Sequence, residues 1–322
     1  MLQIIHIQEA VGLKGMQSSN KTNTTSLVTG GCGFIGSHIV DKLQSLGHKV
    51  IVIDDISAPQ NEDFYYHEDV VNVKYHIKDI SKDDCSKYFN DVDYVFHLAA
   101  RSRIQPTIGS PNECFEVNVI GTQRVLEWSR LNGIKRVIYS GTSSLYGKQN
   151  LIPFNPNMSA DCLNPYSMSK WMGERICDLY SQIYGLTSVV LRYFNVYGPR
   201  EPLKGEYAPV IGLFKRQNKN NEPVTIVSPG TQRRDFTYID DVVSANICAM
   251  NASFHKSVCK IYNVGTGKNY SILEIADMIC DERVLIPSRT AEVVETLADI
   301  SETTKDLGWI PKFKLEDVIN SY

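Results

Sequence analysis

The chain is poor in excess charge, in long apolar runs and in ordered cysteine spacing. Its 322 residues carry a formal net charge of −3. That gives no general attraction to nucleic acid or to an anionic membrane surface. No apolar run approaches the roughly 20 residues that span a bilayer. The 8 cysteines are scattered, with no C-x-x-C pair. This spacing argues for free thiols in a reducing compartment and against a disulfide scaffold or a metal centre. Residues 1–25 do not read as a convincing secretory leader: Ile4-Ile5-His6-Ile7 is short, has no basic lead and runs into polar residues. The expectation is a cytoplasmic protein without metal, with residues 1–25 as an accessory tail.

What the chain does have is Ser26-Leu27-Val28-Thr29-Gly30-Gly31-Cys32-Gly33-Phe34-Ile35-Gly36. A short apolar strand, 26–29, passes through glycines 30, 33 and 36. It then enters Ser37-His38-Ile39-Val40-Asp41-Lys42-Leu43, whose apolar residues have helical spacing. Gly30 permits the tight exit from the strand, Gly33 lets the backbone approach a pyrophosphate, and Gly36 lets the helix pack closely on the sheet. The first turn, with Phe34 and Ile35, points free N–H groups and a partial positive charge at phosphates. A second strand, 49–53, ends in Asp54, about 20 residues further on. A carboxylate there holds a ribose 2′-hydroxyl and repels a 2′-phosphate, so the pattern predicts NAD. Asp55 is the alternative bearer of that role.

A third strand, 72–77, precedes Asp79 and Ile80. Asp79 can meet an adenine amino group or cap the next segment. A fourth apolar strand, 93–100, ends in Leu98, Ala99 and Ala100, whose small alanines leave room for a cofactor or simply close a buried strand. Helical periodicity runs through 111–132, includes Asn118, and stops at Gly133. Strand 136–140 leads into Gly141-Thr142-Ser143-Ser144-Leu145-Tyr146-Gly147, a run of hydroxyls at a strand's C-terminal end. Ligands bind at such ends in doubly wound sheets. Strands alternating with helices predict an α/β fold with a parallel sheet covered on both faces.

Tyr166 and Lys170 follow in Asn164-Pro165-Tyr166-Ser167-Met168-Ser169-Lys170. Four apart, they share a helix face. An ammonium near a phenol stabilises the phenolate and makes it a usable base near neutral pH. An ordinary surface pair has the same spacing. The hydroxyl-rich strand end and the dinucleotide pattern favour the chemical reading.

Taken in order, these stretches resemble the extended short-chain dehydrogenase/reductases and, within them, the nucleotide-sugar 4-epimerases. Further matches are His97-Leu98-Ala99-Ala100, Arg192-Tyr193-Phe194-Asn195-Val196-Tyr197-Gly198-Pro199-Arg200, Arg234-Asp235-Phe236-Thr237-Tyr238-Ile239-Asp240-Asp241-Val242, Tyr262-Asn263-Val264-Gly265 and Leu297-Ala298-Asp299-Ile300. The resemblance implies a Rossmann domain over 26–193 and a smaller α/β substrate domain, mainly 194–322, with part of 236–265 returning to the first. It implies cofactor contacts at Gly30, Gly33, Phe34, Ile35, Gly36, Asp54, Asp79, Ile80, Leu98, Ala99, Ala100, Asn118, Tyr166, Lys170 and Tyr193. It also implies a homodimer formed through the helices of Asn118 and Tyr166.

For chemistry, the resemblance implies that Tyr166 takes the proton from sugar O4 while C4 is oxidised by NAD. Lys170 holds the nicotinamide ribose, and Thr142 stands where the family has a serine that bonds O4. Related dehydratases carry an Asp-Glu pair before the Tyr-Gly, and related decarboxylases a glutamate. Ser143-Ser144-Leu145 has no carboxylate, which favours epimerisation. The substrate side is expected at Ser143, Ser144, Asn195, Tyr207, Ala208, Val210, Arg234, Arg289, Glu292 and Thr296. Small Thr296, where the family's bulky tyrosine restricts the pocket, points to UDP-N-acetylglucosamine and UDP-N-acetylgalactosamine. Arg101 and Arg103 keep a UDP-uronic acid substrate in view. A dehydratase, a decarboxylase and an NAD-binding regulatory module are the alternatives.

Overall fold

The computed structural model describes residues 24–58, 71–148, 150–202, 208–254, 257–288 and 293–322. The chain runs β1 (Thr25–Thr29), α1 (Phe34–Ser45), β2 (Lys49–Asp54), β3 (Val73–Ile77) and β4 (Tyr94–His97). Then come α2 (Ile104–Gly109), α3 (Pro111–Phe115), a π-helical turn at Glu116–Gly121, α4 (Thr122–Leu131) and β5 (Arg136–Thr142). After α5 (Pro165–Tyr184) and β6 (Ser188–Tyr193) follow β7 (Val196–Tyr197), α6 (Val210–Lys219), β8 (Val224–Val227), β9 (Arg233–Asp235) and β10 (Thr237–Tyr238). The last part holds α7 (Ile239–Asn251), β11 (Cys259–Val264), β12 (Asn269–Ser271), α8 (Ile272–Ile279), β13 (Arg283–Ile286), α9 (Ser301–Leu307) and α10 (Leu315–Val318).

Seven strands form one sheet in the order β11-β6-β5-β4-β1-β2-β3, every pair parallel. This is the expected doubly wound α/β sheet. Its central strands are apolar along their length because both faces are covered. Val28, Val52, Phe96, Ile138 and Leu191 lie in the core shared with α1 and α7. Leu27, Val95, Val137 and Val190 lie in the core under α4 and α5. The strand order reverses between β1 and β4, and a crevice opens at that point.

Two elements differ from the pattern reading. β4 stops at His97 instead of Ala100: Leu98 and Ala99 turn away with their N–H groups on the Thr29 carbonyl. The helix expected over 111–132 is broken by the π-helical turn, which carries Asn118. Periodicity blurs such an insertion because it adds only a fraction of a turn. Gly133 does end the segment, with φ +65.

Past β6 the chain leaves the sheet and returns to it. α7 packs against α1, and β11 pairs with β6 from Cys259↔Ser188 to Val264↔Tyr193. The excursions make small sheets: β8 with β13, β9 antiparallel to β12, and β7 with β10. Asp235 ties them together by accepting from Thr266 N, Gly267 N and Ala298 N at 2.8, 3.0 and 3.1 Å. Among the described residues no helix is long and apolar enough to cross a membrane.

Candidate active site

A cavity of about 850 Å³ lies over the C-terminal ends of β1, β2, β4, β5 and β6. Its floor is backbone. Gly30 leaves β1 with φ +71, and a Cβ there would stand 2.6 Å from Ala99 N. A Cβ on Gly36 would run into the Gly30 carbonyl oxygen. Gly33 is the extended N-cap of α1, and no side chain caps that helix. Its first N–H groups have no intrahelical partner, and Gly33, Phe34, Ile35 and Gly36 all line the cavity. An uncapped helix start under a wall without side chains suits a pyrophosphate.

Asp54 closes β2 above this cradle. Its Oδ2 accepts from Cys32 N and its Oδ1 from Ile56 N, each at 2.9 Å. Burial pushes its carboxyl up, and the two N–H groups oppose that by favouring the charged form. The carboxylate keeps free lone pairs for ribose hydroxyls. The residues present therefore fit a dinucleotide with an unphosphorylated ribose. Asp79 and Ile80 line the same end. Asp79 also closes its own turn, with Oδ1 accepting from Ser81 N at 2.8 Å and Oδ2 paired to Lys82 at 3.1 Å.

Asn118 is placed differently from the other expected cofactor residues. It is buried and does not line the cavity. Its Oδ1 accepts from Arg101 N at 2.7 Å, and its Nδ2 donates to Arg101 O at 3.0 Å and Ser169 Oγ at 2.9 Å. It ties the loop after β4 to α5, so its contact with a cofactor would be indirect. Arg101 spends its guanidinium on Glu113 at 2.9 Å, Asp55 at 3.3 Å and the Ser57 hydroxyl.

The reacting end is built by β5 and α5. Asn164 and Ser167 form a capping box, with Pro165 in the first turn of α5. This fixes Tyr166 one residue inside the helix, where the dipole favours an anion. Thr142 ends β5 and caps the short turn Ser143–Tyr146, its Oγ1 accepting from Ser144 N at 3.2 Å. Thr142, Ser143, Ser144, Tyr166, Lys170 and Tyr193 share the cavity wall. Behind them the buried Arg192 clamps Glu174 with two bonds, at 3.0 and 2.7 Å, and locks β6 to α5.

The electrostatics differ from the pattern reading. Burial raises the Tyr166 phenol instead of leaving it lowered, while a hydrogen bond with Thr142 and the Arg103 guanidinium pull it down. Lys170 stands one turn further along the same helix. Its Nζ sits 4.7 Å from the centre of the Tyr139 ring, and burial lowers its pKa to about 8. An apolar wall penalises both charges at once, an effect that helix spacing cannot reveal.

On the other side stand Asn195, Val210, Arg234 and Thr296. Asn195 has φ +26 and donates Nδ2 to Asp235 O at 2.7 Å. Arg234 and Arg233, adjacent in sequence, face opposite ways. Arg234 lines the cavity, while Arg233 pairs with Glu274 at 2.9 Å. Thr296 is 9 % exposed, with Oγ1 accepting from Asp235 N at 3.3 Å. Val210 begins α6, but Ala208 does not line the cavity. Tyr207, Arg289 and Glu292 lie outside the described residues. Gln105 and Val293 line the cavity without having been singled out by any motif. Val293 is a loop residue and Gln105 sits in the six-residue α2, too short to show a period.

Comparison with known proteins supplies the wider setting. Residues 26–265 match the model of the NAD dependent epimerase/dehydratase family. A putative UDP-glucose 4-epimerase of Methanocaldococcus jannaschii is 36% identical over 300 residues, 91% of this chain and 95% of that protein. A UDP-N-acetylglucosamine 4-epimerase from Methanobrevibacter ruminantium M1, solved with UDP-N-acetylmuramic acid, superposes with TM-score 0.87 at 31% identity. That match covers 92% of this chain and 96% of the other. A UDP-glucuronic acid 4-epimerase from Bacillus cereus, solved with UDP-glucuronic acid and NAD, gives TM-score 0.82 at 29% identity, with the same coverage, 92% and 96%.

Proposed function

The chain belongs to the NAD-dependent epimerase/dehydratase family, and on that premise we propose that it inverts C4 of a UDP-sugar through a transient 4-keto sugar. When bound, NAD supplies the oxidising power at C4 and returns what it took. Tyr166 accepts the O4 proton and gives it back from the same side of the cavity. Thr142 bonds O4 and the phenol, and so sets the line of proton transfer. Lys170 holds the ribose next to the ring. Arg234 faces the diphosphate, with a fork of donors suited to it. Residues after 194, apart from the returning segment within 236–265, form the substrate side.

The observation that carries this reading is the wall itself. Thr142 and Tyr166 share a cavity with an uncapped glycine turn, and the Ser143–Tyr146 turn beside them offers no carboxylate. Dehydration and decarboxylation call for an added acid or base at that turn; epimerisation does not. Small, buried Thr296 leaves room for an N-acetyl group, so UDP-N-acetylglucosamine and UDP-N-acetylgalactosamine are the favoured pair and UDP-glucose and UDP-galactose the smaller ones. A UDP-uronic acid is the second reading, favoured by Arg103 in the cavity wall.

All eight thiols are free, which is compatible with a reducing compartment. Leu131 on α4 and Leu179, Ile183 and Tyr184 on α5 are exposed on adjacent helices, a face suited to a second copy of the chain. The test is incubation with a panel of UDP-sugars and no reductant, read by mass and proton NMR. The expected product has equal mass and inverted C4. Loss of water or of carbon dioxide would move the reading to the alternatives. Bound NAD and sugar nucleotide with no turnover would favour a regulatory module.

A further inference from the structure

Arg101 reaches across the crevice of the sheet. It stands just past the end of β4, and its partners Asp55 and Ser57 stand just past the end of β2. In the sheet, β1 lies between those two strands. Neighbouring strands are about 5 Å apart, so the side chain bridges roughly 10 Å, over the glycine turn that leaves β1. Nη2 donates to Asp55 Oδ2 at 3.3 Å, Nη1 to the Ser57 hydroxyl, and Nε to Glu113 Oε1 on α3 at 2.9 Å. The Ser57 hydroxyl in turn donates to Asp55 Oδ1 at 2.5 Å. One planar cation thus ties the loop after β2, the loop after β4 and α3. Its root is fixed as well, since Asn118 holds both the N–H and the carbonyl of Arg101, at 2.7 and 3.0 Å. Asp55, Ser57, Arg101 and Glu113 line the same cavity as Gly33 and Asp54.

We propose that Arg101 is a retaining strap for NAD: its guanidinium closes the dinucleotide half of the cavity and must let go before the cofactor can leave. The inference rests on the dinucleotide cradle and is independent of the sugar. A guanidinium suits the task because its fork of donors holds two carboxylates in fixed directions at once, where an ammonium is a single point charge. Each ion pair alone is weak: the side chains of Arg101, Asp55 and Glu113 are 26%, 28% and 51% exposed. Two pairs on one group, on a backbone that Asn118 already orders, act together. Asn118 then serves the cofactor from behind, through Arg101. The strap lies over the cradle rather than in it, so it governs how fast NAD leaves and not how α1 packs on the sheet.

The test loads the full chain with NADH, displaces it with excess NAD and follows the loss of NADH fluorescence, with no sugar present. Arg101→Gln speeds release roughly tenfold, the scale of two partly exposed ion pairs. Glu113→Gln, changed at an exposed position, speeds it about threefold. The double variant is no faster than Arg101→Gln, because both changes cut the same strap. Raising salt from about 0.05 to about 0.5 M speeds release from the parent more than from Arg101→Gln, since screening acts on the pairs that the variant lacks. Unchanged release in Arg101→Gln overturns the proposal. Faster release in Arg101→Gln, with no effect of Glu113→Gln and an equal salt response, also overturns it and makes Arg101 a direct contact of NAD. Effects that multiply in the double variant overturn it too. A parent chain that turns over no UDP-sugar defeats the epimerase reading, while the release rates still decide the role of Arg101.

Discussion

The two halves of the cavity are built on different principles. The dinucleotide half is mostly backbone: glycines in contact with one another, an uncapped helix start, and one carboxylate fixed by two N–H groups. The sugar half is mostly side chains, brought from β5, α5, the turn before β7, β9 and the segment around Thr296. In the first half, fold and binding are the same contacts, so neither can be changed alone. In the second, each side chain projects from an element that the sheet and the Arg192–Glu174 clamp hold anyway. Function there should be separable from stability.

Tyr166→Phe puts the greatest strain on that distinction. It deletes one oxygen at the reacting end. Turnover should fall by roughly 10²–10⁴, the usual contribution of a positioned base. Among the described residues the phenol's one side-chain bond is with Thr142, so stability should change by no more than about 1 kcal/mol, and bound NAD should be retained. Turnover is read by the NMR assay, NAD content by release on denaturation, and stability by urea unfolding. A variant that lost its NAD along with its activity would erase the line between the halves.

Gly36→Ala is the converse and the next largest effect. The added methyl meets the Gly30 carbonyl with nowhere to go. Overpacking of this kind costs roughly 1–3 kcal/mol, and relieving it would push α1 off the sheet and open the cradle. Lower stability and loss of NAD should therefore appear together. Full NAD retention in a destabilised variant would mean that the glycine contact serves packing only.

The same division governs what could be read before any coordinates. The parallel sheet and the glycine turn were legible because the strands are short and apolar, and β1, β4 and β5 are each followed by helical periodicity. Asp54 was legible because its distance from the glycines is fixed by one helix and one strand. Tyr166 and Lys170 were correctly placed on one wall, but their charges were not legible. Burial raises one pKa and lowers the other, and burial depends on β5 and α3, which are far away in sequence. The surroundings of Asn118 were hidden for a similar reason: the π-helical turn places it off the cavity lining, and the loop at Arg101 takes up its amide. Arg103 drew notice only as a charge near the site, since nothing in a linear pattern tells which of two nearby arginines is tied to carboxylates.

Thr296→Tyr should give the smallest effect and the sharpest test of separability. Thr296 is buried in the wall, yet it borders open cavity, and its one side-chain bond among the described residues is a long one from Asp235 N. A tyrosine ring there extends into the sugar space instead of into the core, so folding should lose no more than about 1 kcal/mol. The ring would occupy the volume beside C2. UDP-N-acetylglucosamine should lose roughly tenfold or more in kcat/KM, the scale on which a pocket discriminates a small group, while UDP-galactose is spared. The ratio of the two substrates is the quantity to measure, because any general damage cancels from it. An equal loss for both would remove Thr296 from the sugar pocket and leave the width of the substrate side to other residues in the wall.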